Sequence, residues 1–211
     1  MPKTLSVGLA VVCAAAVAHV GIAAAAAAPP AGNALRPHVP AKQAALFPAL
    51  RGPVAKDVPP FIAKSLAHRP GITRKITAYP TLARRITAPG TAQPRDWYLI
   101  PGSGGMCLYS KVGGGCVFDF EALAGKLLIQ LIKPVGHDPR TPFPPAGTPI
   151  TSRIIGVLPA GVTAITATTA TGATVTGSVS TDMYAIAGPD IRALHLTGPS
   201  FDVPVAAPPQ L

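Results

Sequence analysis

Val162-Thr163-Ala164-Ile165-Thr166-Ala167-Thr168-Thr169-Ala170-Thr171-Gly172-Ala173-Thr174-Val175-Thr176-Gly177-Ser178-Val179 is the stretch that decides how the chain is read. Threonine and alanine alternate against Val162, Ile165, Val175 and Val179, and Thr171-Gly172 supplies turn chemistry midway. β-Branched residues at a period of two, broken once by a turn dipeptide, specify a β-hairpin.

The same punctuation runs outward from this hairpin in both directions. Short apolar runs bounded by Gly, Pro and Asn/Asp/Ser-type turns predict strands near Trp97 to Ile100, Met106 to Lys111, Cys116 to Phe118 and Lys126 to Ile132. Further strands are expected near Ile150 to Val157, Met183 to Ile186, Ile191 to Leu196 and Phe201 to Val205. Leu127 to Ile132 reads as strand or helix by pattern alone, and the flanking Gly125 and Pro134 favour a strand. A helical turn capped by Asp119 is expected over Phe120 to Ala124. Residues 97–211 are therefore expected to form a mainly β domain, a small antiparallel sandwich or partly open barrel. Its expected core includes Trp97, Leu99, Leu108, Val117, Leu128, Leu131, Ile154, Val157, Val162, Ile165, Val175, Tyr184, Ile186, Leu194 and Leu196.

The rest of the 211-residue chain has a different composition, with 26 Pro and 21 Gly overall and a net charge of +10 that is unevenly spread. Lys3 is the only charge before an apolar run from Leu5 to an alanine tract ending at Ala28. That is the pattern of a secretory signal peptide over residues 1–28, with a retained N-terminal anchor as the alternative. Residues 36–96 hold eleven of the 18 Lys+Arg against Asp57 and Asp96, a net of +9, whereas residues 97–211 balance six cations with six acids. Twelve prolines between residues 29 and 96 leave room only for short helices. This segment is expected to be a basic, proline-rich arm, partly disordered. Its best helix begins with Asp57 as cap, carries Pro59 and Pro60 in the first turn, and could dock Phe61, Ile62 and Leu66 on the domain.

Within the arm, Ile72-Thr73-Arg74-Lys75-Ile76-Thr77-Ala78 recurs as Leu82-Ala83-Arg84-Arg85-Ile86-Thr87-Ala88. Two dibasic clips, Arg74-Lys75 and Arg84-Arg85, suit an anionic cell-wall polymer or membrane surface, where each cation contributes on the order of 1 kcal/mol. A plain solvated linker explains the same residues. With 5% aromatic residues, stacking platforms are few, and nucleic acid is not expected as a partner.

Three cysteines are present. Cys13 lies in the apolar run, which leaves Cys107 and Cys116, an even pair that reads as a disulfide in an exported chain. The stretches Trp97-Tyr98-Leu99-Ile100-Pro101-Gly102, Met106-Cys107-Leu108 and Gly113-Gly114-Gly115-Cys116 resemble a group of uncharacterised secreted proteins of actinobacteria. So do Gly156-Val157-Leu158-Pro159-Ala160-Gly161-Val162 and Val179 to Tyr184. The resemblance implies an exported domain with one disulfide and brings no activity with it.

Chemistry is thin. Ser103, in Pro101-Gly102-Ser103-Gly104-Gly105, and His137-Asp138 compose a nucleophile, base and acid on paper, but the G-x-S-x-G spacing of a nucleophile elbow is missing. The histidines are scattered without H-x-x-x-H or C-x-x-C pairs, so no metal is expected, and no dinucleotide or phosphate loop indicates a cofactor. The expectation is an exported, non-enzymatic module associated with the cell envelope, of unknown oligomeric state. The alternatives are a small secreted hydrolase using Ser103 and His137, or a membrane-anchored β-domain on a basic tether.

Overall fold

A computed structural model describes residues 37–68, 75–134, 150–199 and 201–206. The expected signal segment 1–28, Arg74, and the His137-Asp138 pair lie outside these residues. Among the described residues, no helix is long and apolar enough to cross a membrane.

The fold is mainly β, all of its strand pairs antiparallel, in three sheets. The first sheet contains β1 (Thr77–Ala78), β2 (Arg84–Thr87), β3 (Asp96–Ser103), β4 (Gly105–Ser110) and β5 (Gly113–Phe118). Both β1 and β2 lie along the same edge of β3, β1 opposite Gly102 and Ser103 and β2 opposite Asp96 to Leu99. The internal sequence repeat is thus spent on two short strands that share one partner. The second sheet has the order β10 (Ser178–Val179), β11 (Met183–Pro189), β7 (Ile150–Val157), β6 (Leu128–Pro134). The third has the order β13 (Phe201–Ala206), β12 (Ile191–Gly198), β8 (Ala164–Thr169), β9 (Thr174–Thr176).

The expected hairpin of residues 162–179 forms, but it is divided. Residues 174–176 pair with β8, while 178–179 pair with β11 of the other sheet. Gly177 makes the crossing: its N–H donates to the Ile165 carbonyl at 2.9 Å. A Cβ there would lie 2.6 Å from Ile165 and 2.8 Å from the Ala185 carbonyl, so the strand can change sheets only without a side chain.

Side-chain alternation along the second sheet gives it two buried faces. Ile155, Val157 and Met183 face a core shared with Trp97, Leu99, Met106 and Leu108 of the first sheet. Ile154, Tyr184 and Ile186 face a core shared with Ile165, Leu194, Leu196 and Val205 of the third. Apolar residues in consecutive positions, as in Ile154-Ile155, are what a sheet covered on both sides requires. The outer face of the first sheet, with Ile100, Cys107 and Tyr109, is covered by Ile62 and Leu66 of α2 (Pro60–Ala67). The disulfide Cys107–Cys116 joins two residues paired directly across β4 and β5.

The expected boundary at residue 96/97 does not hold. Residues 37–206 form part of one compact unit, and Phe47, Leu50, Ile86, Ala88 and Ala92 belong to the same core as Trp97. Phe47 and Leu50 come from the end of α1 (Ala41–Leu46) and the 3-10 turn Pro48–Arg51. Three of the prolines that suggested an arm act as start signals: Pro60 opens α2, and Pro48 and Pro80 each open a 3-10 turn. Asp57 does not cap α2, whose N-cap is Pro59. Nor does Asp119 cap α3 (Asp119–Leu123): Phe118 is the N-cap and its N–H donates to Glu121 Oε2 at 3.0 Å.

Candidate functional site

Of the four cations expected to bind an anionic surface, Lys75, Arg84 and Arg85 are described, and Arg84 and Arg85 do not share a face. Strand alternation sends Arg84 and Arg85 to opposite faces of β2. Arg84 is 8% exposed and donates to the Leu82 carbonyl at 2.6 Å, its Nε has no partner among the described residues, and burial pulls its pKa down. Arg85 remains exposed but is held by Asp96 through two bonds, Nε to Oδ1 at 3.1 Å and Nη2 to Oδ2 at 3.0 Å. That pairing raises its pKa and neutralises its charge locally. Lys75 is exposed, and Arg74 lies outside the described residues. The dibasic motif is therefore one buried guanidinium and one exposed ion pair.

Ser103 ends β3 as an exposed residue opposite Thr77. Its hairpin is fixed by Gln43, buried on α1, whose amide donates to the carbonyls of Gly102 at 2.7 Å and Gly105 at 3.2 Å, and to Asp119 Oδ1 at 2.7 Å. These bonds are structural, tying α1 to the β3–β4 turn. The described histidine in an acid pair is His195 with Asp202, on the third sheet, away in topology from Ser103. Among the described residues no cluster of three His, Cys, Asp or Glu side chains is placed to hold a metal.

Close to the Arg85–Asp96 pair the structure forms a groove of about 390 Å³ between the start of α2 and the outer face of the first sheet. Phe61 and Tyr98, both half-buried, supply its aromatic part. Tyr98 faces outward because its neighbours Trp97 and Leu99 face the core. Arg95, just before β3, and Lys111, in the β4–β5 turn, supply two exposed cations. Among the described residues neither has an acidic partner, whereas Asp96, the acid in the groove, is already engaged by Arg85. The main-chain path that places Arg95 includes a cis Gln93–Pro94 bond and the Trp97 indole, which donates to the Pro94 carbonyl at 2.8 Å.

None of these four residues stands out in the sequence as a site. Arg95 counts there as one of many arm cations and Lys111 as the last residue of an expected strand, and Tyr98 is visible only as the outward position between two core positions. Neither a family model, a curated protein nor a solved structure matches the chain.

Proposed function

We propose that this protein is an exported, non-enzymatic module that binds an acidic glycan of the cell envelope, and that the groove of Phe61, Tyr98, Arg95 and Lys111 makes the contact. The observation that carries the reading is the juxtaposition in one groove of two aromatic side chains and two cations that have no acid partner among the described residues. Sugar rings stack on aromatic faces, and their acid groups pair with cations. A bare anionic lipid surface needs the cations but has no use for a half-buried Tyr98. The apolar N-terminal run and the Cys107–Cys116 disulfide support export, because disulfides persist in oxidising compartments.

The test is sedimentation of the purified protein with insoluble acidic and neutral glycans, and with anionic lipid vesicles, over a series of salt concentrations. Binding to the acidic glycan is expected to weaken with salt. It should fall about thirtyfold in R95A/K111A, two cations at about 1 kcal/mol each. Equal binding to neutral glycan, stronger binding to vesicles, or indifference to the double substitution overturns the reading.

A further inference from the structure

Arg153 occupies the middle of β7, a strand whose other inward positions are Ile154, Ile155 and Val157. Register fixes its surroundings on the face that looks toward the first sheet. Directly opposite lie Ala187 on one side and Leu131 on the other, and the next pair along places Ala185 opposite Ser178. Two alanines beside an arginine leave space where larger side chains would have filled the gap. The turn carrying Pro89 and Thr91 borders that space, and Thr176 reaches it from the point where the chain crosses between sheets.

The result is a cavity of about 240 Å³ lined by Arg153, Thr91, Thr176 and Ser178 among others, with no acidic residue among the described residues that line it. Arg153 is half-buried, and among the described residues its guanidinium has neither a hydrogen bond nor an ion pair. A guanidinium is always charged and presents five N–H donors in a planar fork. A sheltered fork with no partner among the described residues, beside hydroxyl-bearing side chains that donate and accept, is complementary to a carboxylate attached to a hydroxylated body.

We propose that this cavity binds the carboxylate of a small sugar acid, with the Arg153 fork on the carboxylate and Thr91, Thr176 and Ser178 bonded to ring hydroxyls. The site shares no residue with the groove of Phe61 and Tyr98 and stands without it. Titration of the whole protein with D-glucuronate, D-glucose and inorganic phosphate, followed by calorimetry or by amide chemical shifts, separates the components of recognition. Glucuronate is expected to bind saturably with a dissociation constant on the order of 1 mM, and glucose and phosphate at least about tenfold more weakly. R153M should abolish glucuronate binding, T91V/S178A should weaken it several-fold, and R95A/K111A should leave it unchanged.

The proposal is overturned if glucuronate binds no better than glucose or phosphate. It is also overturned if R153M, shown folded by its thermal transition, binds as the parent does. Should R153M fail to fold, T91V/S178A decides alone, and undiminished glucuronate binding there overturns the proposal. To separate a free acid from the end of a polymer, short oligouronates form a further arm: tighter binding than the monomer assigns the cavity to chain ends, and equal or weaker binding assigns it to the free acid.

Discussion

Toward the third sheet, Ile154, Tyr184 and Ile186 of the middle sheet meet Ile165, Leu194 and Leu196, all from one continuous succession of strands and turns. Toward the first sheet, Ile155, Val157 and Met183 meet Phe47, Leu50, Ile86 and Trp97, which come from far earlier in the chain. The two cores share a sheet and differ in how they are closed. One is completed by neighbours in sequence, the other by a basic, proline-rich segment that returns to plug an apolar sheet face. The difference teaches that the described residues of 37–96 are structural before they are anything else, and that apart from the buried Arg84 their cations sit outside a packed element.

The largest test of that comparison is Phe47→Ala. Phe47 is 1% exposed, and truncating a buried phenylalanine costs about 3–5 kcal/mol. Denaturant unfolding should show a loss of that size, comparable with Leu194→Ala on the other core. A loss below about 1 kcal/mol would return the segment to the status of an appendage. Next in size is the disulfide of the first sheet. Replacing Cys107 and Cys116 together by alanine releases a short loop, and loop-closure entropy assigns this about 2–3 kcal/mol. Hydrogen exchange should place the loosening in β4 and β5, with β8 and β12 unaffected. Uniform loosening of all three sheets would instead show that the two cores unfold as one.

The contrast also accounts for what could be read from the sequence. Strands β7, β8, β11, β12 and β13 fall close to their expected positions because alternation and turn residues act over a few positions. Phe47 and Leu50 carry no such signal: six-residue α1 and a 3-10 turn are too short for a helical period, and their burial depends on a core built by strands later in the chain. Charge counting erred for a related reason. A net of +9 describes a segment as though all its cations met solvent together, yet alternation buried Arg84 and Asp96 engaged Arg85. Arg153 escaped notice because a single arginine inside Ile150–Val157 looks like an edge position, and only register reveals the two alanines beside it.

Within the better-read core, one close approach sharpens the comparison further. Tyr184 lies over Gly156, its pair across β7 and β11, so that a Cβ on Gly156 would stand 2.3 Å from the tyrosine ring. Gly156→Ala is expected to cost about 1–3 kcal/mol through overpacking. The loss should be smaller in a Tyr184→Ala background, where the obstructing ring is gone. The same ring predicts a gain. Tyr184 is fully buried, its hydroxyl has no partner among the described residues, and burial pushes its pKa strongly up. Tyr184→Phe removes an unsatisfied polar group and should stabilise the protein by about 1 kcal/mol. Destabilisation instead would reveal that the hydroxyl is satisfied by water held between the second and third sheets.

The smallest effect belongs to the turn where the two faces of the middle sheet begin. Asp182 precedes Met183, which faces the first sheet, and Tyr184, which faces the third, and its carbonyl accepts the Leu158 N–H at 2.9 Å. Partial burial raises the Asp182 carboxyl pKa, so the folded state holds its proton more tightly than the unfolded chain does. Stability from this group is therefore greatest below the ordinary carboxylate range and declines as pH rises from the ordinary value to the raised one, with no further change above it. Asp182→Asn removes that decline. The variant should be slightly more stable than the parent at about pH 7 and match it at about pH 3, as read by urea unfolding at the two values. A variant less stable than the parent at neutral pH would mean that the ionised carboxylate supports the turn, and that both faces of the sheet depend on a charge at their common origin.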